Sequence, residues 1–126
     1  MAIYLATTKS ISRSDGRSAV ASAAYRAGEK LQDARYGKVQ NYSGRHGVMS
    51  TDIILPNTLK DKASIDRNSL WNMAEQAEKR KDSRVAREWL INLPHELDES
   101  IRQEMAHHFA QTLADRYGVI ADCCIH

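Results

Sequence analysis

A single tyrosine stands among small residues in the stretch 10–31, and its placement suits chemistry. This stretch begins as a polar loop and continues as a run of alanines and serines. Ser14 or Asp15 could accept a backbone N–H bond and start a helix there. At about 100° per residue, its apolar residues form one narrow stripe, and Tyr25 lies well off it. The stripe consists of Val20, Ala23, Ala24, Ala27 and Leu31.

Two arginines, Arg17 and Arg26, flank Tyr25 in this predicted helix. A tyrosine off the apolar face can pack against a neighbouring element, which is the commonest use of such a ring. It can also act as a nucleophile or offer its ring for stacking on a base. The residues alone leave these three uses open.

The first fifty residues are basic, with eight Lys and Arg against three Asp and Glu, a net charge of +5, whereas the whole chain carries +2. A basic half suits a polyanion such as nucleic acid, although a solvated surface has the same composition. The basic residues are Lys9, Arg13, Arg17, Arg26, Lys30, Arg35, Lys38 and Arg45.

The segment 33–42 is typical of a β-hairpin with a glycine in its turn. Its aromatic residues, Tyr36 and Tyr42, alternate with basic ones. Aromatic and basic residues together suit single-stranded DNA, by stacking and phosphate contact, but many amphipathic hairpins share the pattern. The candidate DNA contacts are Arg13, Arg17, Arg26, Tyr36, Lys38 and Arg45.

The stretch around Tyr25 closely resembles the N-terminal motif of MobA/MobL-type plasmid mobilisation relaxases, in the HUH-type relaxase superfamily. The similarity includes a short strand at 1–4, a loop at 10–14 and a helix at 16–26. It implies that Tyr25 nicks one strand of plasmid DNA by transesterification and forms a 5′-phosphotyrosyl link. It also implies single-stranded origin-of-transfer DNA as partner, together with accessory mobilisation proteins.

A second stretch, 79–97, resembles the family's run of Ala-Arg-Glu followed by an aromatic residue. This resemblance places Glu88 near the active site as a catalytic residue. Many relatives carry a second acid two residues later, where this chain has Leu90, so a paired-carboxylate mechanism is not implied. Alternatively, Glu88 is a strand carboxylate paired with an arginine of a neighbouring strand.

The last stretch, 117–126, resembles the strand that ends in the family's first metal-binding histidine, which implies that role for His126. The family completes the site with an H-x-H pair on the next strand. His107 and His108 cannot replace that pair, because adjacent residues of a helix point in different directions. We therefore expect a divalent metal, Mg²⁺ or Mn²⁺, at a site that is incomplete here. Residues 1–126 are then expected to be the N-terminal part of a relaxase domain that ends before the H-x-H motif, weak or inactive alone.

Hydrophobic patterns predict an α+β fold in one domain, a mainly antiparallel sheet with helices packed on it. The strands are expected at 2–8, 48–55, 84–93 and 119–125, with the last two adjacent and central. Glu88 and His126 should then lie on the same side of the sheet or near one edge. Two further helices are expected, one capped by Asp66 or Asn68 and one from Asp98 to Gly118. Their inward residues should be Leu70, Met73, Ala74 and Ala77, and Ile101, Met105, Phe109, Leu113 and Tyr117, with Trp71 and Trp89 also in the core.

The sequence lacks an apolar run long enough to span a membrane and does not begin like a secretory signal. Its two cysteines, Cys123 and Cys124, are adjacent, which does not favour a disulfide between them. A reducing, cytoplasmic location fits these features.

Three functions therefore compete. The chain is a nicking relaxase, a non-catalytic module that binds single-stranded DNA, or a protein-interaction domain whose basic face meets an acidic partner. The absent H-x-H pair favours the second over the first. Steep salt dependence of DNA binding would separate the first two from the third.

Overall fold

The computed structural model describes residues 6–60, 64–80 and 83–126. It has an α+β fold, as predicted. No helix in these ranges is both long and apolar enough to cross a membrane. In chain order the elements are β1 (Ala6–Ser12), a 3-10 turn (Arg13–Asp15), α1 (Ala19–Ala27), β2 (Lys30–Asp33), β3 (Lys38–Asn41), β4 (Ser50–Ile54), α2 (Arg67–Ala77), β5 (Arg84–Ile91), α3 (Glu99–Tyr117) and β6 (Ala121–Ile125).

The strands form three antiparallel pairs, β1 with β5, β2 with β3 and β4 with β6. The predicted adjacency of β5 and β6 is therefore wrong for the described residues. Instead, β1 runs along β5 from Ala6 opposite Ile91 to Ser12 opposite Arg84. The first predicted strand, 2–8, lies partly outside the described residues, and β1 continues further, to Ser12.

Helix α1 is shorter than predicted. Its N-cap is Ser18, rather than Ser14 or Asp15, and the Ser18 hydroxyl accepts a hydrogen bond from the Ala21 N–H at 3.1 Å. Gly28 ends the helix with φ +65°, a left-handed conformation that glycine adopts without a steric penalty. Leu31 is therefore buried as a residue of β2 rather than of the helix.

The predicted apolar face of α1 is confirmed, since its valine and alanines are buried. Trp71 of α2 packs against them and is partly buried, so α1 rests on α2. Tyr25 is thereby turned away from the core, as its position off the stripe predicts. The core cluster consists of Val20, Ala23, Ala24 and Leu31.

The inward faces of the other two helices were predicted less well. In α2, Met73 is 59% exposed and Ala77 is exposed, whereas Arg67 and Glu75 are buried. In α3, a repeat of four residues advances about 400° per step and so drifts about 40° around the helix each time. Its two ends, Ile101 and Tyr117, are consequently exposed.

Alanines take the buried positions of α3, at Ala110 and Ala114. Trp89 of β5 is 41% exposed, contrary to its predicted place in the core. Its ring instead meets Phe109 of α3 edge-on, with 5.7 Å between centroids.

Candidate active site and nucleic-acid interface

An open cleft of about 430 Å³ lies along the outer side of α1. Its walls come from the loop before α1, the exposed face of the helix, the β2–β3 hairpin and strand β5. Six of the predicted site residues meet there. They are Arg17, Tyr25, Arg26, Tyr36, Lys38 and Glu88.

Tyr25 stands in this cleft with 43% of its surface exposed. Three side chains surround its ring. The Arg45 guanidinium carbon lies 3.9 Å from the ring centroid, and that of Arg26 lies at 5.6 Å. Tyr42 meets the ring edge-on, with 5.4 Å between the two centroids. The phenol is thus presented to solvent among two cations and a second aromatic ring.

Glu88 binds both arginines that flank Tyr25 in the sequence, Arg17 and Arg26. Arg17 Nη2 donates to Glu88 Oε1, while Arg26 donates to Oε2 from Nε at 3.2 Å and from Nη2 at 3.0 Å. Glu88 therefore pairs with arginines, as in the alternative interpretation of the sequence. These arginines come from α1 and the preceding loop rather than from a neighbouring strand. Burial by itself would raise the pKa of Glu88, but hydrogen bonds and charges of Arg17 and Arg26 lower it below its usual range.

This pairing is expected to make stability depend on pH. Because the pKa of Glu88 is lower in the folded than in the unfolded chain, its ion pairs stabilise the fold above about pH 4.3, the ordinary glutamate value. That contribution is lost as the pH falls through the lowered pKa. Urea unfolding should show Glu88→Gln destabilised near neutral pH and equal to wild type in acid. The exposed Glu104→Gln is the matched control, and a Glu88→Gln deficit that persists in acid would contradict the ion-pair explanation.

His126 contacts the same arginine from its other end. His126 Nε2 lies 2.7 Å from the backbone carbonyl of Arg26. A carbonyl oxygen only accepts, so Nε2 carries the proton in this contact. The side chain of Arg26 contacts Glu88 and its backbone contacts His126, so both residues lie beside the end of α1.

Comparison with known proteins identifies the family. The sequence model of the MobA/MobL family matches residues 17–126. The chain belongs to the MobA/MobL family. This is a family of relaxases of plasmid mobilisation and conjugal transfer. The match confirms the resemblance seen in the sequence.

Individual relatives agree with this assignment. The chain is 45% identical over its whole length to mobilization protein MobL of Acidithiobacillus ferridurans, of which it covers 32%. It is 30% identical to conjugal transfer protein TraA of Rhizobium radiobacter, of which it covers 12%. The chain thus spans about a third of this MobL and about an eighth of this TraA.

A solved structure shares the fold closely. Its title is "Molecular Basis of Vancomycin Resistance Transfer in Staphylococcus aureus", and it superposes with a TM-score of 0.91 at 37% sequence identity. The match covers 99% of this chain and 63% of the other.

The metal site that the MobA/MobL resemblance implies does not fit the described donors. Across 6–60, 64–80 and 83–126, no three His, Cys, Asp or Glu residues are grouped to hold an ion. His107 contacts Asp52 of β4 instead, at 2.9 Å. Burial first, and nearby carboxylates second, raise the pKa of Cys123 to about 11 and that of Cys124 to about 12, so both thiols carry their proton at neutral pH. A single imidazole, His126, is not a sufficient ligand set.

Arg13 does not line the cleft, whereas Arg17 and Arg26, which are also predicted to bind DNA, do. Its side chain is 4% exposed and pairs with Glu75 of α2 at 2.9 Å. Its remaining N–H groups donate to the backbone carbonyls of Glu75, Glu78 and Arg80. No N–H group of Arg13 is left for a phosphate, so this placement does not support the predicted DNA contact.

Sequence reasoning missed a buried carboxylate that fixes the hairpin against α1. Asp33 is 1% exposed, and its Oδ2 accepts from Ser18 Oγ at 2.7 Å and from Gln40 Nε2 at 2.9 Å. Ser18 and Gln40 both line the cleft. The alternation of β2, with Leu31 and Asp33 inward, is the signal that could have found it.

Proposed function

We propose that this chain is the nicking part of a relaxase that acts on single-stranded DNA at an origin of transfer. The Tyr25 oxygen attacks the phosphorus of a phosphodiester and forms a Tyr–O–P bond to the 5′ phosphate of the downstream nucleotide. The bond between that phosphorus and the 3′ oxygen of the upstream nucleotide breaks, and the 3′ oxygen takes up a proton to become a free hydroxyl. The phenol proton is released, so charge and atoms balance. The tyrosyl ester keeps the energy of the broken bond, so rejoining the strand needs no ATP.

The observation that carries this proposal is the exposure of the Tyr25 phenol in a cleft walled by cations. Arg17, Arg26 and Lys38 line the same cleft and suit the negative charge of a phosphodiester. Membership of the MobA/MobL family supports the same chemistry.

The hairpin gives the DNA strand a path to Tyr25. Tyr36 is 43% exposed near Lys38, with the Arg35 guanidinium carbon 5.5 Å from its ring centroid, and the exposed part of the ring suits stacking on a base. Tyr42 and Arg45 follow at the other end of β3, next to Tyr25 itself. We infer that bases stack on the hairpin tyrosines while phosphates face Arg17, Arg26 and Lys38, which line the cleft.

Glu88 acts in this proposal as a positioning residue, and not as the base that removes the phenol proton. A carboxylate with a lowered pKa holds its negative charge firmly and is a weak acceptor for the proton of a phenol, whose ordinary pKa is about 10. Its two arginine contacts instead orient Arg17 and Arg26 toward the phosphate beside Tyr25.

The use of Mg²⁺ or Mn²⁺, with His126 as a ligand, stays a prediction. Accessory mobilisation proteins as partners and a cytoplasmic location also stay predictions. When bound, a divalent cation would polarise the scissile phosphate. The described residues do not supply the ligands for such a site, so no step of the proposed reaction is assigned to it. The second candidate function is binding of single-stranded DNA without cleavage.

Adduct mapping tests the proposal. The chain, and the longest reading frame that contains it, are incubated with Mn²⁺ or Mg²⁺ and a single-stranded oligonucleotide that carries its transfer origin. Intact-mass measurement should show a protein–DNA adduct, and peptide mapping should place it on Tyr25. Tight binding without any adduct from either protein would support the non-catalytic alternative.

DNA binding through the cleft predicts a specific salt dependence. Arg17→Ala should weaken binding of single-stranded DNA and lower the slope of log K against log salt concentration by about 0.7, one phosphate contact on a single strand. Arg116→Ala, which removes an exposed arginine at the end of α3, should leave the slope unchanged. Fluorescence anisotropy across a salt series measures both. Equal slopes for Arg17→Ala and wild type would remove Arg17 from the interface.

A further inference from the structure

We propose that Arg45, assisted by Tyr42, is a positioning residue that fixes the ring of Tyr25 for attack. This inference rests on the proposed function for its consequence, although the contacts themselves do not. It gives Arg45 a role through Tyr25, in place of the direct phosphate contact that the basic sequence around it predicted.

The contacts of Arg45 reach both the ring and the backbone of Tyr25. The guanidinium carbon lies 3.9 Å from the Tyr25 centroid, well inside the roughly 6 Å within which a cation is attracted to an aromatic face. Nη1 of the same side chain donates to the Tyr25 backbone carbonyl. A planar guanidinium that stacks on a ring and also bonds its backbone holds the two in one relative orientation.

Tyr42 closes a second side of the ring. The two tyrosine rings meet at 87° with 5.4 Å between centroids, an edge-to-face geometry. A half-exposed tyrosine would otherwise rotate about its side-chain bonds. With Arg45 and Tyr42 in contact, rotation of the ring requires both neighbours to move.

The loop that carries both residues is itself fixed to the end of α1. The Tyr42 N–H donates to the Glu29 carbonyl at 3.0 Å, and the Arg45 N–H donates to the Tyr42 carbonyl at 3.0 Å. Val48 Cγ2 comes within 3.1 Å of where a Cβ of Gly28 would lie. Because glycine permits that approach, the loop rests directly on the turn that follows Tyr25 and cannot shift independently of it.

Fixing the ring matters because transesterification requires the phenol oxygen in line with the bond that breaks. Displacements of about 1 Å can cost about a hundredfold in rate. Arg45 also places its charge at a helix C-terminus, where cations are favoured. The position of Arg45 is therefore explained without any DNA contact.

Kinetics separate positioning from phosphate binding. Arg45→Lys keeps the charge but loses the planar stack, so we expect the adduct rate at saturating DNA to fall about ten- to a hundredfold. Its DNA affinity and salt slope should stay close to wild type. Arg116→Lys is the matched control, since Arg116 lies over the ring of Tyr117, with 5.6 Å to the centroid, outside the cleft. A full adduct rate in Arg45→Lys, with lower affinity and slope in Arg45→Gln, would show a phosphate contact and overturn the proposal.

A second measurement needs no DNA and so distinguishes failure of this inference from failure of the proposed function. In protein labelled with 3-fluorotyrosine, a fixed Tyr25 ring should give two slowly exchanging fluorine signals, assigned with Tyr25→Phe. Arg45→Lys and Tyr42→Leu should merge them, while the Tyr117 signal is unchanged. Persistence of both Tyr25 signals in the two variants would overturn the positioning role, whether or not the wild type forms an adduct.

Discussion

Tyr25→Phe is expected to abolish the covalent adduct with DNA while single-stranded DNA still binds with nearly unchanged affinity. Only the hydroxyl is lost, and the phenylalanine ring can keep the contacts with Arg45 and Tyr42. Removal of a catalytic nucleophile commonly lowers rates by more than about a thousandfold. The adduct is measured as a mass shift of the protein or as a retarded band in a denaturing gel, and affinity by anisotropy.

Matched controls come from the other tyrosines. Tyr117→Phe removes the hydroxyl of a more exposed tyrosine on α3, 61% exposed and outside the cleft, and should leave the adduct rate unchanged. Tyr36→Phe and Tyr42→Phe test the hairpin, where stacking does not require a hydroxyl. Tyr4, which lies outside the described residues, is tested in the same way. An adduct that persists in Tyr25→Phe and maps to another tyrosine would refute the nucleophile assignment.

The orientation of Tyr25 could be predicted from the sequence because helical periodicity is local. The small apolar residues form one face of α1, and this face is buried, so Tyr25 on another face points outward. The apolar face can be recognised in the sequence of α1 alone, without knowledge of the element that covers it. The two ends of the helix were harder to place. Ser14, Asp15 and Ser18 can each cap the start of a helix. At the other end, Gly28 permits a turn, although the apolar stripe continues to Leu31.

Strand partners were not predictable in the same way. The sequences of β5 and β6 each indicate a strand, but the hydrogen bonds of a strand give no local mark of their partner. The structure pairs β5 with β1 and β6 with β4. Glu88 from β5 and His126 after β6 nevertheless each contact Arg26 at the end of α1.

The roles of Arg13 and Arg17 in the polar loop were the hardest to predict from the sequence. Arg13 and Arg17 are four residues apart in the same basic segment and share one local signature. The two arginines differ in their partners. Arg13 donates hydrogen bonds to Glu75, which lies 62 residues further along the chain. Arg17 faces the cleft and Glu88 instead. A contact between residues so distant in sequence is determined by the fold, so composition predicted DNA binding for both.

Arg13→Ala is accordingly expected to act on stability, lowering the free energy of unfolding by about 3–5 kcal/mol. Both partners of the pair are nearly inaccessible, with 4% of the Arg13 side chain and 2% of the Glu75 side chain exposed. Removal of Arg13 leaves the buried Glu75 carboxylate with the Ala19 N–H and with Arg35, whose Nη1 lies at the longer distance of 4.0 Å. It also deprives the carbonyls of Glu78 and Arg80 of the Arg13 donor. Urea unfolding followed by circular dichroism measures the loss.

Two further variants test whether burial of the pair is the cause. Glu75→Ala should also be strongly destabilising, and the double variant with Arg13→Ala should lose clearly less than the sum, since neither charge is then left unpaired. Arg17→Ala, whose ion pair is partly exposed, should cost far less than Arg13→Ala. A loss below about 1 kcal/mol for Arg13→Ala, the range of exposed pairs, together with a lower salt slope for DNA binding, would return Arg13 to the DNA interface that its sequence predicted.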